Sequence, residues 1–232
     1  VVMERHEGTP QGGPLSPLLA NVLLDEVDRE LEKRGHAFAR YADDCNVYVR
    51  SRRAGERVME SLRRLYAGLR LKINESKSAV ARPWDRKFLG YSFWVAKGRV
   101  VKRRVAPKAL EAMKQRVRKL TRRSGGRSMD QVVAAMRSYL IGWKGYFQLA
   151  DTPGIFADLD GWIRSRLIAI QFKQWRRGTT AYRKLRALGI PEARAAMAAA
   201  HVQRWWNTAT HGANLAFPAD HFTKLGVPKL AA

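Results

Sequence analysis

The sequence has few of the features that a secreted or membrane protein depends on. Its 232 residues include one cysteine, Cys45, which excludes an intramolecular disulfide and any zinc site with several cysteine ligands. No apolar run reaches the roughly 18–20 residues of a membrane-spanning helix. The first residues, VVMERHEGTPQGG, lack the layout of a signal peptide and read as a chain entered part-way through a domain. These absences predict an intracellular protein in a reducing compartment.

Acidic residues are also scarce. There are 20 Asp and Glu against 44 Lys and Arg, which gives a net charge of +24. Residues 1–100 hold 19 basic and 13 acidic side chains, whereas 101–232 hold 25 and 7. Nucleic acid is the expected partner of such a surface, because neutralising phosphates releases bound counterions. A ribosomal-type or membrane-surface protein is the plainer interpretation of the same charge.

The first part of the chain, residues 1–104, alternates helical and strand patterns. A helix is predicted over about 16–34 with Ser16 as its N-cap, and a second over about 54–69. A hairpin turns at about residues 42–44, a short strand LKIN follows the second helix, and another hairpin follows near Gly98. One apolar face is predicted for the first helix, formed by Leu18, Leu19, Val22, Leu23, Val27 and Leu31.

From Pro107 onward the apolar spacing is almost purely helical, and Ser128 with Gln131 predicts a capping box. We therefore predict an α+β protein, in which an antiparallel sheet with two helices precedes an all-α part. The predicted domain bounds are 1–104, 105–178 and, for a basic helical extension, 179–232.

Two adjacent carboxylates, Asp43 and Asp44, lie in the middle of the most strand-like segment of this basic chain. A β-turn explains such a pair simply, because Asp tolerates turn geometry and hydrogen-bonds to its own backbone. Paired carboxylates on a rigid hairpin can also hold a divalent cation, and hard oxygen ligands favour Mg²⁺. The residues alone leave both interpretations open.

Four ordered segments resemble the last palm motifs of reverse transcriptases encoded by bacterial group II introns. They are GTPQGGPLSPLLANVLLDEVD (8–28), YADD (41–44), LKINESKS (71–78) and FLGYSFW (88–94). Residues 114–177 resemble the maturase-specific domain of the same family. The resemblance implies the C-terminal part of a reverse transcriptase palm followed by a helical thumb and maturase domain. It implies an RNA-directed DNA polymerase that also assists intron splicing in the bacterial cytoplasm.

The resemblance also implies a role for each motif. Asp43 and Asp44 would be the catalytic carboxylates that bind Mg²⁺, and Lys77 would lie near the nucleotide phosphates. Ser16 and Asn21 would serve as capping and positioning groups. The residues that contact the nucleotide and template would be Gln11, Gly12, Gly13, Tyr41 and Ala42. The primer grip would be Phe88, Leu89, Gly90 and Tyr91.

The basic helical part would contact RNA. Its implied partners are the group II intron RNA and the RNA template, DNA primer and dNTPs of the polymerase reaction. The RNA-binding residues would be Lys114, Arg118, Lys119, Arg122, Arg123, Arg176 and Arg177.

One departure from the family pattern matters for activity. The third metal-binding Asp of the family belongs to a palm motif upstream of the PQGG loop, and neither that motif nor the fingers is in this sequence. We therefore expect the isolated chain to lack polymerase activity. The alternative hypothesis is a non-catalytic maturase that binds and stabilises folded intron RNA and retains the carboxylates without using them.

Overall fold

The structure is a computed structural model that describes residues 13–123, 125–202, 217–218 and 220–231. Its contacts divide the chain into two compact units, Val1–Phe88 and Leu89–Ala232. Each unit has a hydrophobic core of its own. The predicted domain bounds of 1–104, 105–178 and 179–232 stay predictions.

The first unit contains two helices and a two-stranded antiparallel sheet. Its elements are α1 (Ser16–Lys33), β1 (Ala37–Tyr41), β2 (Asp44–Tyr48), α2 (Arg52–Gly68), a 3-10 turn (Pro83–Asp85) and the short strand β3 (Lys87–Phe88). The segment LKIN (71–74) was predicted as a strand, and this prediction is wrong. The side chain of Asn74 accepts a hydrogen bond from the backbone N–H of Lys77 at 3.2 Å, which starts a turn instead.

Helix α1 differs from its prediction at two points. Its N-cap is Leu15, because the N–H of Ser16 already bonds to the carbonyl of Gly13 at 3.1 Å and Ser16 is the first helical residue. The buried residues are Leu24, Val27 and Leu31. Four of the six residues predicted to be buried together are exposed: Leu18, Leu19, Val22 and Leu23. At about 100° per residue, the six positions span roughly 220° of the helix, which is too wide for one face.

The second unit is a hairpin followed by a helical bundle. Its elements are β4 (Tyr91–Val95), β5 (Val101–Val105), α3 (Pro107–Leu120), α4 (Met129–Phe147), α5 (Pro153–Trp175), α6 (Gly178–Ala187), α7 (Glu192–Ala200) and α8 (His221–Lys224). Residues from α3 to α7 form one core that includes the fully buried Met113, Met136, Leu167, Phe172 and Leu185. The α+β fold class is thus confirmed. Within the described ranges, no helix is both long and apolar enough to cross a membrane.

The capping box predicted for α4 is confirmed. The Ser128 hydroxyl accepts the N–H of Gln131 at 3.3 Å, and the Gln131 side chain accepts the N–H of Ser128 at 3.1 Å. The two bonds satisfy backbone donors that a helix start otherwise leaves unpaired.

Candidate catalytic hairpin and nucleic-acid interface

The aspartate pair lies at the turn of the β1–β2 hairpin. The strands pair antiparallel with Tyr41 opposite Asp44, so that Ala42 and Asp43 form a two-residue turn. Ala42 adopts a φ of 52°, in the left-handed region that two-residue hairpin turns use to match the strand twist. Asp43, in the turn, and Asp44, the first residue of β2, are both exposed.

The two faces of the hairpin have different surroundings. Phe38, Cys45 and Val47 pack against the core formed with α1 and α2. Because side chains alternate along a strand, Tyr41 and Asp44 occupy the opposite face. That face is not covered by the helices of the first unit, and Asp44 shares it with an aromatic ring that is 65% exposed.

Arg40 fastens the turn to α1. Its guanidinium donates to both carboxylate oxygens of Asp28 at 2.6–2.9 Å, and Nη1 donates to Asn21 Oδ1 at 2.9 Å. Nη1 also donates to the carbonyl of Ala42 at 3.0 Å. The side chains of Arg40 and Asp28 are only 11% and 20% exposed, and their hydrogen bond raises the pKa of Arg40. The network thus connects Asn21 and Asp28 of α1 with the hairpin turn through Arg40.

Sequence reasoning missed Arg40 and Asp28. A signal for Arg40 was present, because it lies two residues after Phe38 and so points to the helix-packed face of β1. A charged side chain at such a position needs a buried partner of opposite charge. The acidic residues of α1 were the candidates nearest in sequence.

Neither Asp43 nor Asp44 forms an ion pair or a side-chain hydrogen bond with any other residue in the described part of the chain. Their nearest strand neighbour with a positive charge, Arg40, is bound to Asp28 instead. The carboxylate oxygens are therefore accessible to solvent and to a cation.

Cys45 adjoins the aspartate pair but faces the core. Burial, and next the carboxylate of Asp28, raise the pKa of the Cys45 thiol to about 11, whereas Arg40 lowers it. The thiol is protonated at neutral pH, so it is neither a thiolate ligand nor a nucleophile.

The structure describes only some of the remaining candidates for the nucleotide site. Gln11 and Gly12 lie outside the described residues, whereas Gly13 precedes α1. Lys77 is exposed in the turn after Asn74, and its carbonyl accepts a hydrogen bond from Arg86. No hydrogen bond or ion pair within the described ranges joins Gly13 or Lys77 to the hairpin turn.

The predicted primer grip forms a tight turn that α4 holds from one side. Leu89 and Gly90 both adopt positive φ, 50° and 76°. Tyr146 on α4 donates its hydroxyl to the carbonyl of Leu89 at 3.0 Å, and the Tyr91 hydroxyl donates to the carbonyl of Tyr146 at 2.5 Å. Gly90 faces Phe147 so closely that an added Cβ would lie 3.1 Å from its ring. Phe88 is half-buried at the end of the first unit.

The predicted RNA-binding residues form two groups. Lys114, Arg118 and Lys119 lie on α3 away from its buried face, and Arg122 and Arg123 follow the end of that helix. Arg176 and Arg177 are exposed between α5 and α6. Arg118 and Lys119 lie in the last turn of α3, where cations also interact favourably with the helix dipole.

Comparison with known families places these elements. The family profile for reverse transcriptase (RNA-dependent DNA polymerase) matches residues 2–93, and the profile for the group II intron maturase-specific domain matches residues 110–189. The chain belongs to the group II intron reverse transcriptase/maturase family. The two matches together cover about three-quarters of this reverse transcriptase/maturase. No curated protein matches the sequence.

The matches coincide with the two candidate sites. The reverse transcriptase match contains the β1–β2 hairpin and the turn at Leu89–Gly90, and the maturase match runs from α3 through α6. The reverse transcriptase family generally uses divalent metal ions. The two domains together imply that this reverse transcriptase/maturase binds nucleic acid, including intron RNA.

The two exposed carboxylates of the hairpin have the chemistry of magnesium ligands. Mg²⁺ is commonly bound through one or two carboxylates together with water and substrate phosphates, and Asp43 and Asp44 are exposed oxygen ligands of that kind. Within the described residues, no cluster of three or more Asp, Glu, His or Cys side chains has the arrangement of a metal site. The two carboxylates therefore fit a magnesium site only together with further ligands.

Proposed function

We propose that this reverse transcriptase/maturase catalyses RNA-templated DNA synthesis with Asp43 and Asp44 as ligands of Mg²⁺. One observation carries the proposal. Two exposed carboxylates, which form no ion pair or side-chain hydrogen bond with any described residue, lie at a hairpin turn that Arg40 fastens to α1. Two exposed carboxylates at a turn that the neighbouring helix holds in place are suitable oxygen ligands for a divalent cation.

We assign a separate role in this reaction to each group of predicted residues. When bound, Mg²⁺ stabilises negative charge on the attacking and leaving oxygens of an in-line phosphoryl transfer. The Asp43 and Asp44 oxygens would hold the ion, and the Lys77 ammonium would neutralise the departing pyrophosphate. The nucleotide and template would contact the loop formed by Gln11, Gly12 and Gly13 and the turn residues Tyr41 and Ala42.

We further propose that the turn held by α4 positions the primer end. Two residues with positive φ bring the backbone to the surface there, and Tyr146 and Tyr91 fix it. The primer would contact Phe88, Leu89, Gly90 and Tyr91. The intron RNA and the template–primer duplex would contact Lys114, Arg118, Lys119, Arg122, Arg123, Arg176 and Arg177. We place this activity in the bacterial cytoplasm.

A third carboxylate has to complete the magnesium site. The described residues supply only two at the hairpin. We therefore expect primer extension from a protein that also carries the upstream palm motif, and none from residues 1–232 alone.

The test is the double variant Asp43→Asn/Asp44→Asn in the full-length protein. Asn keeps the size of each side chain but removes its charge, so primer extension in the presence of Mg²⁺ should fall by at least about a thousandfold. Intron splicing should be unaffected, because it needs only RNA binding. Asp25→Asn is the matched control, since the half-exposed side chain of Asp25 on α1 pairs with Arg29, four residues along the same helix. Primer extension that survives the double substitution would show that the metal assignment is wrong.

The alternative is a maturase that binds intron RNA without polymerising. The incomplete set of described metal ligands favours it. It predicts that the full-length wild-type protein promotes splicing but extends no primer, and that the double Asn variant behaves like the wild type in both assays.

A further inference from the structure

Three arginines meet at the end of α3. Arg118 lies on α3, Arg123 follows it, and Arg166 reaches across from the middle of α5. We call these three residues the arginine cluster. The Arg118 and Arg166 guanidinium carbons lie 5.8 and 5.4 Å from the centre of the Trp162 ring. The indole therefore gives the cluster an aromatic wall.

Arg166 is held in place by a buried hydroxyl. Its Nε donates to Thr121 Oγ1 at 2.7 Å, and Thr121, which is 1% exposed, donates to the carbonyl of Val117 at 2.6 Å. The terminal nitrogens of Arg166 form no hydrogen bond with any residue that the structure describes. The guanidinium is thus held in place through Nε, and its terminal N–H groups are available to a ligand.

Among the described residues, the charged side chains that affect the pKa of Arg166 are cations. Burial, and then the charges of Arg123 and Arg118, lower the pKa of Arg166, and no carboxylate of the described residues raises it. Arg118 does pair with Glu111 at 2.8 Å, but both side chains are about half exposed, and such a pair is weak. Positive charge is therefore concentrated and partly desolvated here. Helix-dipole stabilisation does not account for Arg166, because it lies far from either end of α5.

We propose that the arginine cluster binds a phosphodiester group of the RNA backbone. This inference rests on the proposed function, because it assigns one specific contact within the RNA-binding surface. The planar guanidinium of Arg166 can donate two parallel N–H bonds to the oxygens of one phosphate. The neighbouring charge of Arg118 adds to the attraction. Arg166 was not among the predicted RNA-binding residues, and its position on α5 adds a contact on a second helix.

The test is Arg166→Gln in the full chain, with Arg194→Gln as the matched control. Both substitutions remove one positive charge from the second unit, but Arg194 is exposed on α7 and belongs to no cluster. Binding is measured by fluorescence anisotropy with a labelled RNA hairpin and a DNA hairpin of the same sequence. R166Q should weaken both affinities about tenfold and lower the slope of log affinity against log salt by about 0.7–0.9. R194Q should stay within about twofold of the wild type.

Competition experiments identify the chemical class of the ligand that the arginine cluster binds. Inorganic phosphate at fixed ionic strength should displace RNA from the wild type at lower concentration than from R166Q. If polyglutamate instead shows this difference and phosphate does not, the cluster is a site for an acidic protein and the proposal is overturned. Equal losses in R166Q and R194Q also overturn it. A wild-type chain that binds no RNA would refute the proposed function itself.

Thermal unfolding of each variant separates binding from folding. If R166Q does not fold, Arg166→Lys replaces it, because Lys keeps the charge but cannot form two parallel N–H contacts with one phosphate. R166K should then weaken RNA binding about threefold. An R166K affinity equal to that of R194Q would overturn the proposal.

Discussion

At the residue scale, the shape of the aspartate turn depends on one side chain. Arg40 uses its guanidinium to join β1, α1 and the turn carbonyl of Ala42 in a single network. Removing the guanidinium would leave the carboxylate of Asp28 poorly solvated and without its partner, which costs more than the hydrogen bonds themselves contribute. The hairpin that presents Asp43 and Asp44 should therefore be locally unstable without Arg40.

We predict that Arg40→Gln lowers the local stability of the hairpin by about 2–3 kcal/mol. Native-state amide hydrogen exchange at the paired residues Ala39 and Asn46 measures this directly. Arg57→Gln, on the exposed side of α2, should change the same protection by no more than about 0.5 kcal/mol. Unchanged protection in R40Q would mean that the network does not hold the turn.

Gly90 gives a second residue-scale prediction. It has a φ of 76° and an added Cβ would lie 3.1 Å from Phe147, whereas Gly98 has a φ of 82° and open space around it. Gly98→Ala should cost about 1 kcal/mol from backbone strain alone, and Gly90→Ala about 1–2 kcal/mol more from the contact. Chemical unfolding of the second unit compares the two variants. Equal costs would show that the Phe147 ring moves aside freely.

These residues show what the sequence could and could not predict. The position of the aspartate pair at a tight turn followed from strand alternation on both sides of it. The partner of Arg40 did not follow, because Asp28 is twelve residues away on another element and several acidic residues of α1 were equally plausible. The roles of Asp43, Asp44 and Lys77 stay predictions.

At the scale of elements, patterns with local causes were predicted best. The capping box of α4 needs only residues three apart, and it forms as expected. The apolar stripe of α1 was wrong because its six positions spread too far around the helix to be buried on one face. The strand LKIN was wrong because a strand needs a partner, and Asn74 begins a turn before one is reached.

The capping box gives the element-scale prediction. Ser128→Ala removes one side-chain acceptor at the start of α4 and should lower the stability of the second unit by about 1 kcal/mol, as measured by chemical unfolding. Thr152→Ala is the matched control, because Thr152 is the N-cap of α5 but makes no capping hydrogen bond, and its buried hydroxyl has no partner within the described residues. It should cost less than about 0.5 kcal/mol. Similar losses in both variants would contradict a specific capping effect.

At the scale of the whole molecule, the two units differ in charge as they differ in fold. The reverse transcriptase match lies in the weakly basic part of the chain and contains the carboxylate pair, and the maturase match lies in the strongly basic part. This division could be predicted from the sequence. Composition and the order of the motifs do not depend on where each helix or strand begins and ends. We therefore expect RNA affinity to come mainly from the helical unit.

The last prediction tests this division with equal changes of charge. Lys114→Gln/Lys119→Gln removes two cations from α3, and Arg53→Gln/Arg57→Gln removes two from the exposed side of α2. If the helical unit binds the RNA backbone, the α3 pair should lower the slope of log affinity against log salt by about 1.5 and weaken binding at least about tenfold. The α2 pair should leave the slope unchanged, because in that case its cations neutralise no phosphate and release no counterion. Equal changes in the two double variants would mean that net charge alone, and not the basic face of α3, attracts the RNA.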